Sequence, residues 1–139
     1  MSRSLRVLVA DDQAPFRKAA RAVLEVAPDF EIVGEVTSGE EAVDAAATLE
    51  PDLVVMDLKM EGIGGIEATR QILASRPETL VVLVSSYRLE DVPKTVAESG
   101  AIAFVPKDRF STSALKELLS ARPTGPPRTG TRAQPSRDG

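Results

Sequence analysis

At 139 residues, 42% of them hydrophobic, the chain has apolar material for one ordinary core and too little for two domains. It contains neither cysteine nor histidine, which excludes disulfides, thiolate metal sites, a cysteine nucleophile, the commonest general base and zinc ligand, and any phosphohistidine donor. The overall charge of −4 conceals an asymmetry: four arginines against one aspartate give residues 121–139 a charge of +3, so the first 120 residues carry −7 and are repelled by DNA phosphates.

Leu5 to Ala10 reads as a first strand, largely apolar and ending at Asp11-Asp12. The basic residues before it form too short a run for a signal peptide, and no apolar run approaches membrane-spanning length. The reading is therefore of a soluble, cytoplasmic protein with no membrane partner. Phe16, Ala20, Val23, Leu24 and Ala27 recur on one helical face until Pro28 stops the helix. Phe30 to Val36 predicts a second strand. Ser38 and Glu41 have the spacing of a capping box, opening a helix that turns Ala42, Val43, Ala46 and Leu49 inward. Pro51-Asp52 then introduces Leu53-Val54-Val55-Met56, a continuous apolar run that predicts a third strand buried on both faces and closed by Asp57.

Gly62-Ile63-Gly64-Gly65 predicts a flexible turn, followed by a helix to about Ser75 that buries Ile66, Ile72 and Leu73 and ends before Pro77. Leu80 to Val84 is a second strand of the doubly buried kind, closed by Ser85-Ser86. Leu89 to Ser99 predicts the helix with the least apolar anchoring, only Val92, Val96 and Ala97, and so a comparatively mobile one. Ala101 to Val105 predicts the fifth strand, entered through Gly100 and followed by Pro106-Lys107. The last helix, capped by Ser111 or Ser113, buries Leu115, Leu118 and Leu119 and stops at Pro123. Residues 122–139, with four prolines, three glycines and no aliphatic residue larger than alanine, predict a disordered tail, leaving residues 1–121 as the folded domain.

Five β/α units with short right-handed connections predict an α/β fold, a doubly wound five-stranded parallel sheet of flavodoxin-like order 2-1-3-4-5 with helices on both faces. Strands 1 and 3 then lie side by side at the switch point, where ligands gather outside the carboxyl ends of the strands, so Asp11, Asp12 and Asp57 should converge. Three adjacent carboxylates repel unless a cation sits among them, and oxygen-only donors select a hard ion, with Mg²⁺ the natural occupant. The neighbouring strand ends add the Ser85 hydroxyl and the Lys107 ammonium. These are the parts for handling a phosphoryl group: the metal and Lys107 neutralise its charge, Ser85 donates to one oxygen, and Asp57 is the carboxylate nucleophile that forms an acyl phosphate. Singly, each has a plainer reading as turn, cap or surface residue; their joint placement at the strand ends carries the inference.

On these residues the chain resembles a two-component response regulator receiver domain, CheY-like, over residues 5–120. The run Asp11-Asp12-Gln13-Ala14-Pro15-Phe16-Arg17, the stretch Phe30-Glu31-Ile32-Val33-Gly34-Glu35, and Gly100-Ala101 through Lys107-Asp108 are most similar to the LuxR/NarL class. The resemblance implies that Asp57 accepts phosphate from a sensor histidine kinase or phosphotransfer protein. It implies that Asp11, Asp12, Asp57 and the Lys59 carbonyl hold Mg²⁺, that Ser85 and Phe104 form the switch pair, and that Lys107 pairs with the phosphoryl group. It implies no enzymatic activity beyond self-phosphorylation from small donors and autodephosphorylation. Lys59 and Tyr87 stand at positions that tune phosphoryl lifetime in this family, and a phosphorylation-dependent dimer is admitted. The sequence departs from the pattern at Glu61, where proline is frequent, at Ser85, where threonine is commoner, and at Asp108, where many relatives have a cis proline. The DNA-binding helix-turn-helix usual in this class is not expected in residues 121–139, so the reading is of a single-domain regulator acting through a downstream protein rather than on DNA. Two other classes compete: a receiver-like binding module that works without phosphorylation, against which the complete site stands, and a haloacid-dehalogenase-like phosphatase, which would want an acid where Lys59 stands.

Overall fold

Five parallel strands form one sheet in the order β2-β1-β3-β4-β5 in the computed structural model, which describes residues 4–86 and 94–121. The strands are β1 (Leu5–Ala10), β2 (Phe30–Val36), β3 (Leu53–Asp57), β4 (Leu80–Ser85) and β5 (Ala103–Pro106), alternating with α1 (Ala14–Glu25), α2 (Gly39–Leu49), α3 (Gly64–Ser75), α4 (Thr95–Glu98) and α5 (Thr112–Ala121). This is the doubly wound order expected from the alternation of apolar runs and amphipathic segments, with β1 and β3 adjacent at its centre.

Side-chain alternation along the strands divides the core into two layers. Val7, Val9, Val55, Val82 and Val84 pack with Phe16, Leu24 and Leu115, from α1 and α5. Leu8, Val54, Met56, Val81 and Leu83 pack with Ala42, Ala46, Ala68, Ile72 and Val96, from α2, α3 and α4. Small residues on α2 and α3 let those helices lie close to the sheet, whereas α1 fills its layer with an aromatic ring. Ser38 caps α2 as its spacing implied, its Oγ accepting from the Glu41 N–H at 3.1 Å, but Glu41 Oε1 reaches back one residue further than in a capping box, to the Thr37 N–H at 2.8 Å. Ser111, rather than Ser113, caps α5, accepting from the Ala114 N–H at 3.0 Å.

Three element boundaries differ from the sequence reading, each for a local reason. Helix α1 ends at Glu25, with Val26 as its cap; Ala27 is buried but lies beyond the helix, its N–H tightened onto the Leu24 carbonyl while its own carbonyl takes the Phe30 N–H. Gly62 and Gly64 both lie at φ +81°, and α3 already begins at Gly64, inside the expected turn. Strand β5 begins two residues late because the Ala101 N–H is diverted to Ser99 Oγ at 3.2 Å just after Gly100 turns the chain at φ +98°. Of the segment Leu89 to Ser99, residues 89–93 lie outside the described residues, as do Tyr87 and the predicted tail at 122–139.

Candidate functional site

Strand β3 is buried along its whole length, so it delivers Asp57 to the carboxyl edge of the sheet as part of the core. Strand β4 holds it there: Asp57 pairs in register with Val84, and the Leu58 N–H donates to the Val84 carbonyl at 2.8 Å. From the adjacent strand, β1, the chain runs directly into Asp11, fully buried, whose N–H reaches the Val36 carbonyl at 3.0 Å and whose Oδ1 accepts from the Gln13 N–H at 2.7 Å. Asp12 is exposed beside it. One carboxylate oxygen from each of Asp11, Asp12 and Asp57 lies within 4.8 Å of the others, the convergence that the strand order required.

Lys107 enters from the end of β5, where residues Lys107–Arg109 make a single 3-10 turn. Its Nζ stands 2.7 Å from Asp11 Oδ2 and 3.5 Å from Asp57 Oδ2, donates to Gln13 Oε1 at 3.1 Å, and lies 5.0 Å from the centre of the Phe16 ring. The Lys107 ammonium is thus the close partner of the buried Asp11 Oδ2. Burial pushes the Asp57 carboxyl up to about 6; the Asp11 charge adds to this, Lys107 and the Lys59 N–H at 3.3 Å oppose it, and Asp12 adds least. At neutral pH Asp57 is thus still mostly ionised and more basic than an ordinary aspartate, a combination suited to a carboxylate nucleophile.

The structure places the other sequence-predicted residues around this centre. Ser85 ends β4 nearly fully buried and pairs with Pro106 of β5. Phe104 sits opposite Leu83 in the β4–β5 register and is only partly buried. The side chain of Lys59 is exposed, two residues after Asp57; Tyr87 falls outside the described residues. Sequence reasoning gave no role to three residues that shape the site. Arg17 Nη1 donates to the Asp11 carbonyl at 2.9 Å while its Nε lies 3.8 Å from the Glu35 carboxylate, tying β1, α1 and β2 together at the Asp11 end. Gln13 bridges Asp11 and Lys107. Gly65 packs directly on Asp57, since a Cβ there would lie 2.1 Å from the Asp57 carbonyl oxygen. Only the paired glycines hinted at this last contact; the partners of Arg17 and Gln13 leave no trace in periodicity.

Asp11, Asp12 and Asp57 fit a hard divalent cation. The donor set is oxygen alone, and one of the three acids faces solvent while two are buried. Among the described residues no helix is long and apolar enough to cross a membrane.

Known proteins are similar to this chain. The transcriptional regulatory protein LiaR of Bacillus subtilis is 38% identical over 117 residues, covering 84% of this chain and 54% of its own length. A protein-glutamate methylesterase/protein-glutamine glutaminase of Geobacter sulfurreducens is 41% identical over 109 residues, which are 77% of this chain and 30% of that protein. The chain therefore spans about half or less of the length of these relatives. Among solved structures, the response regulator domain of Thermotoga maritima CheB superposes with a TM-score of 0.74 at 33% identity, covering 86% of this chain and 96% of that one. The sequence profile of the response regulator receiver domain matches residues 7–120, and the chain belongs to that family, the receiver domains of two-component systems, in which phosphorylation on aspartate and binding of Mg²⁺ are general features.

Proposed function

We propose that this protein is a receiver that takes a phosphoryl group onto Asp57 from a phosphohistidine on a sensor kinase or phosphotransfer protein and passes the signal on by protein contacts. The observation that carries the reading is the meeting of three carboxylates and the Lys107 ammonium at the carboxyl ends of three strands, with Asp57 made more basic by burial. An Asp57 carboxylate oxygen attacks the phosphorus, the P–N bond to the donor imidazole breaks with its electron pair leaving on nitrogen, and a mixed anhydride forms on Asp57. Mg²⁺ held by Asp11, Asp12, Asp57 and the Lys59 carbonyl supplies charge neutralisation when bound. Lys107, already 3.5 Å from Asp57, pairs with the transferred group in place of the carboxylate.

Ser85 and Phe104 form the switch. The Ser85 hydroxyl donates to a phosphoryl oxygen, and Phe104, paired with Leu83 and only partly buried, moves with it, changing the surface around α4, the described part of the segment Leu89 to Ser99. The short α4 contributes a single buried residue, Val96, which supports repacking there at low cost. The charge of −7 over residues 1–120 supports protein rather than DNA as the direct partner of this domain, and a cytoplasmic location accompanies the reading. Binding of beryllofluoride with Mg²⁺, followed by ¹⁹F NMR, tests it. A bound resonance is expected for the wild type and not for Asp57→Asn or after EDTA; a bound resonance that persists in Asp57→Asn overturns the assignment.

A further inference from the structure

The loop that follows Asp57 is held from outside, by the first turn of α2. The Gly39 N–H donates to the Glu61 carbonyl at 3.1 Å, and Ser38 and Glu61 form an isolated parallel bridge. Glu40 Oε1 accepts from the Ile63 N–H at 3.3 Å. Its carboxylate lies against the α-carbon of Gly62, where a Cβ would come within 1.8 Å of Oε1, and a Cβ on Gly39 would meet Ile63 Cγ1 at 2.7 Å. The two connections are therefore sealed at van der Waals distance, with glycine on each side where a side chain would part them.

The first half of the loop is anchored by the buried Leu58 and Met60; the second half is glycine-rich. Gly62 and Gly64 both sit at φ +81°, so its backbone carries the freedom of two glycines. Yet this loop must fix the Lys59 N–H on Asp57 Oδ1 and bring Gly65 onto the Asp57 carbonyl. Among the described residues, Glu40 is the one side chain of the 38–40 turn that hydrogen-bonds across to it.

We propose that Glu40 is a positioning residue for the acceptor site: from α2 it pins the loop between Asp57 and α3, and so fixes the Lys59 backbone that faces the cation. The proposal rests on the reading of the acidic cluster as a cation site. Glu40 touches neither cation nor phosphoryl group; it acts through Ile63 and Gly62. Its carboxylate charge is incidental, and its oxygen as an acceptor is what matters.

The full chain with Glu40→Ala and Glu40→Gln separates these roles, read by calorimetric Mg²⁺ titration and by residue-level amide exchange. Glu40→Gln keeps an acceptor and loses the charge, so Mg²⁺ affinity and exchange should stay within about twofold of wild type, while Glu40→Ala weakens Mg²⁺ roughly three- to tenfold, the scale of one net hydrogen bond. Exchange in Glu40→Ala should quicken at residues 59–63 and not in β3. Equal weakening in both variants means that Glu40 acts as a bare charge and overturns the proposal, as does an unchanged Glu40→Ala. A wild-type chain that binds no Mg²⁺ would defeat the cation reading, and the exchange arm alone would then decide whether the clamp exists.

Discussion

Strands β3 and β5 both end at the site, and they are built in opposite ways. Every residue of β3 is buried, and the strand is paired on both sides, by β1 and β4. Strand β5 is a four-residue edge strand in which only Val105 is buried, followed by a single 3-10 turn and flanked by a one-turn α4. Asp57 thus rides on the most deeply buried strand, whereas Phe104 and, just beyond it, Lys107 ride on one of the least anchored. A receiver needs this division: the nucleophile and cation ligands must hold their geometry, and the groups that respond to the phosphoryl group must be able to move.

The contrast can be broken at one pair of neighbours. Leu83 and Phe104 face each other across the β4–β5 ladder and pack in the same layer, but Leu83 is completely buried and Phe104 is not. Leu83→Ala should cost about 3–4 kcal/mol of unfolding free energy and Phe104→Ala about 1–2 kcal/mol, despite its larger ring. Urea titration of both variants checks this, and equal losses would erase the distinction between the two strands. On the rigid side, Gly65→Ala should cost about 2–3 kcal/mol, because its Cβ would collide with the Asp57 carbonyl; an unaffected urea midpoint would mean that α3 does not brace the acceptor.

Burial of Asp57 also has a pH signature. Its carboxyl is raised to about 6 in the folded chain, against about 4 unfolded, so between these values the folded state binds more protons than the unfolded. Stability in the absence of divalent metal should therefore fall as pH rises from about 4 to about 6 and remain lower above that, by roughly 1–2 kcal/mol after allowance for solvent at the mouth of the site. Asp57→Asn should remove this slope and be the more stable protein at pH 7 without metal. Urea titrations at pH 4 and 7 test it, and a slope retained by Asp57→Asn assigns it elsewhere. The smallest effect concerns the phosphoryl lifetime. Lys59→Ala combined with Tyr87→Ala should shorten the phosphoryl lifetime a few-fold by admitting water, measured as phosphate loss after removal of the donor; unchanged or slower decay would show that neither side chain guards the site.

Much of this was legible in the chain itself. The uninterrupted apolar runs of β3 and β4, each closed by a polar residue, give two buried parallel strands, and the strand order then brings Asp11, Asp12 and Asp57 together. The seats of Gln13, Arg17 and Glu40 were not legible, because each acts through a contact between segments distant in sequence that neither periodicity nor spacing encodes: Gln13 with Lys107, Arg17 with Glu35, Glu40 with Ile63. The late start of β5 had a local cause, the Ser99 hydroxyl competing for the Ala101 N–H, which a reading of apolar runs overlooks.

Phosphorylation of the full chain by acetyl phosphate, followed by mapping of the modified residue, tests the central claim most directly. With MgCl₂ the account predicts one phosphoryl group per chain, on Asp57, and none in Asp57→Asn or in the presence of EDTA. Incorporation that survives in Asp57→Asn, or that proceeds equally well without divalent metal, would contradict it.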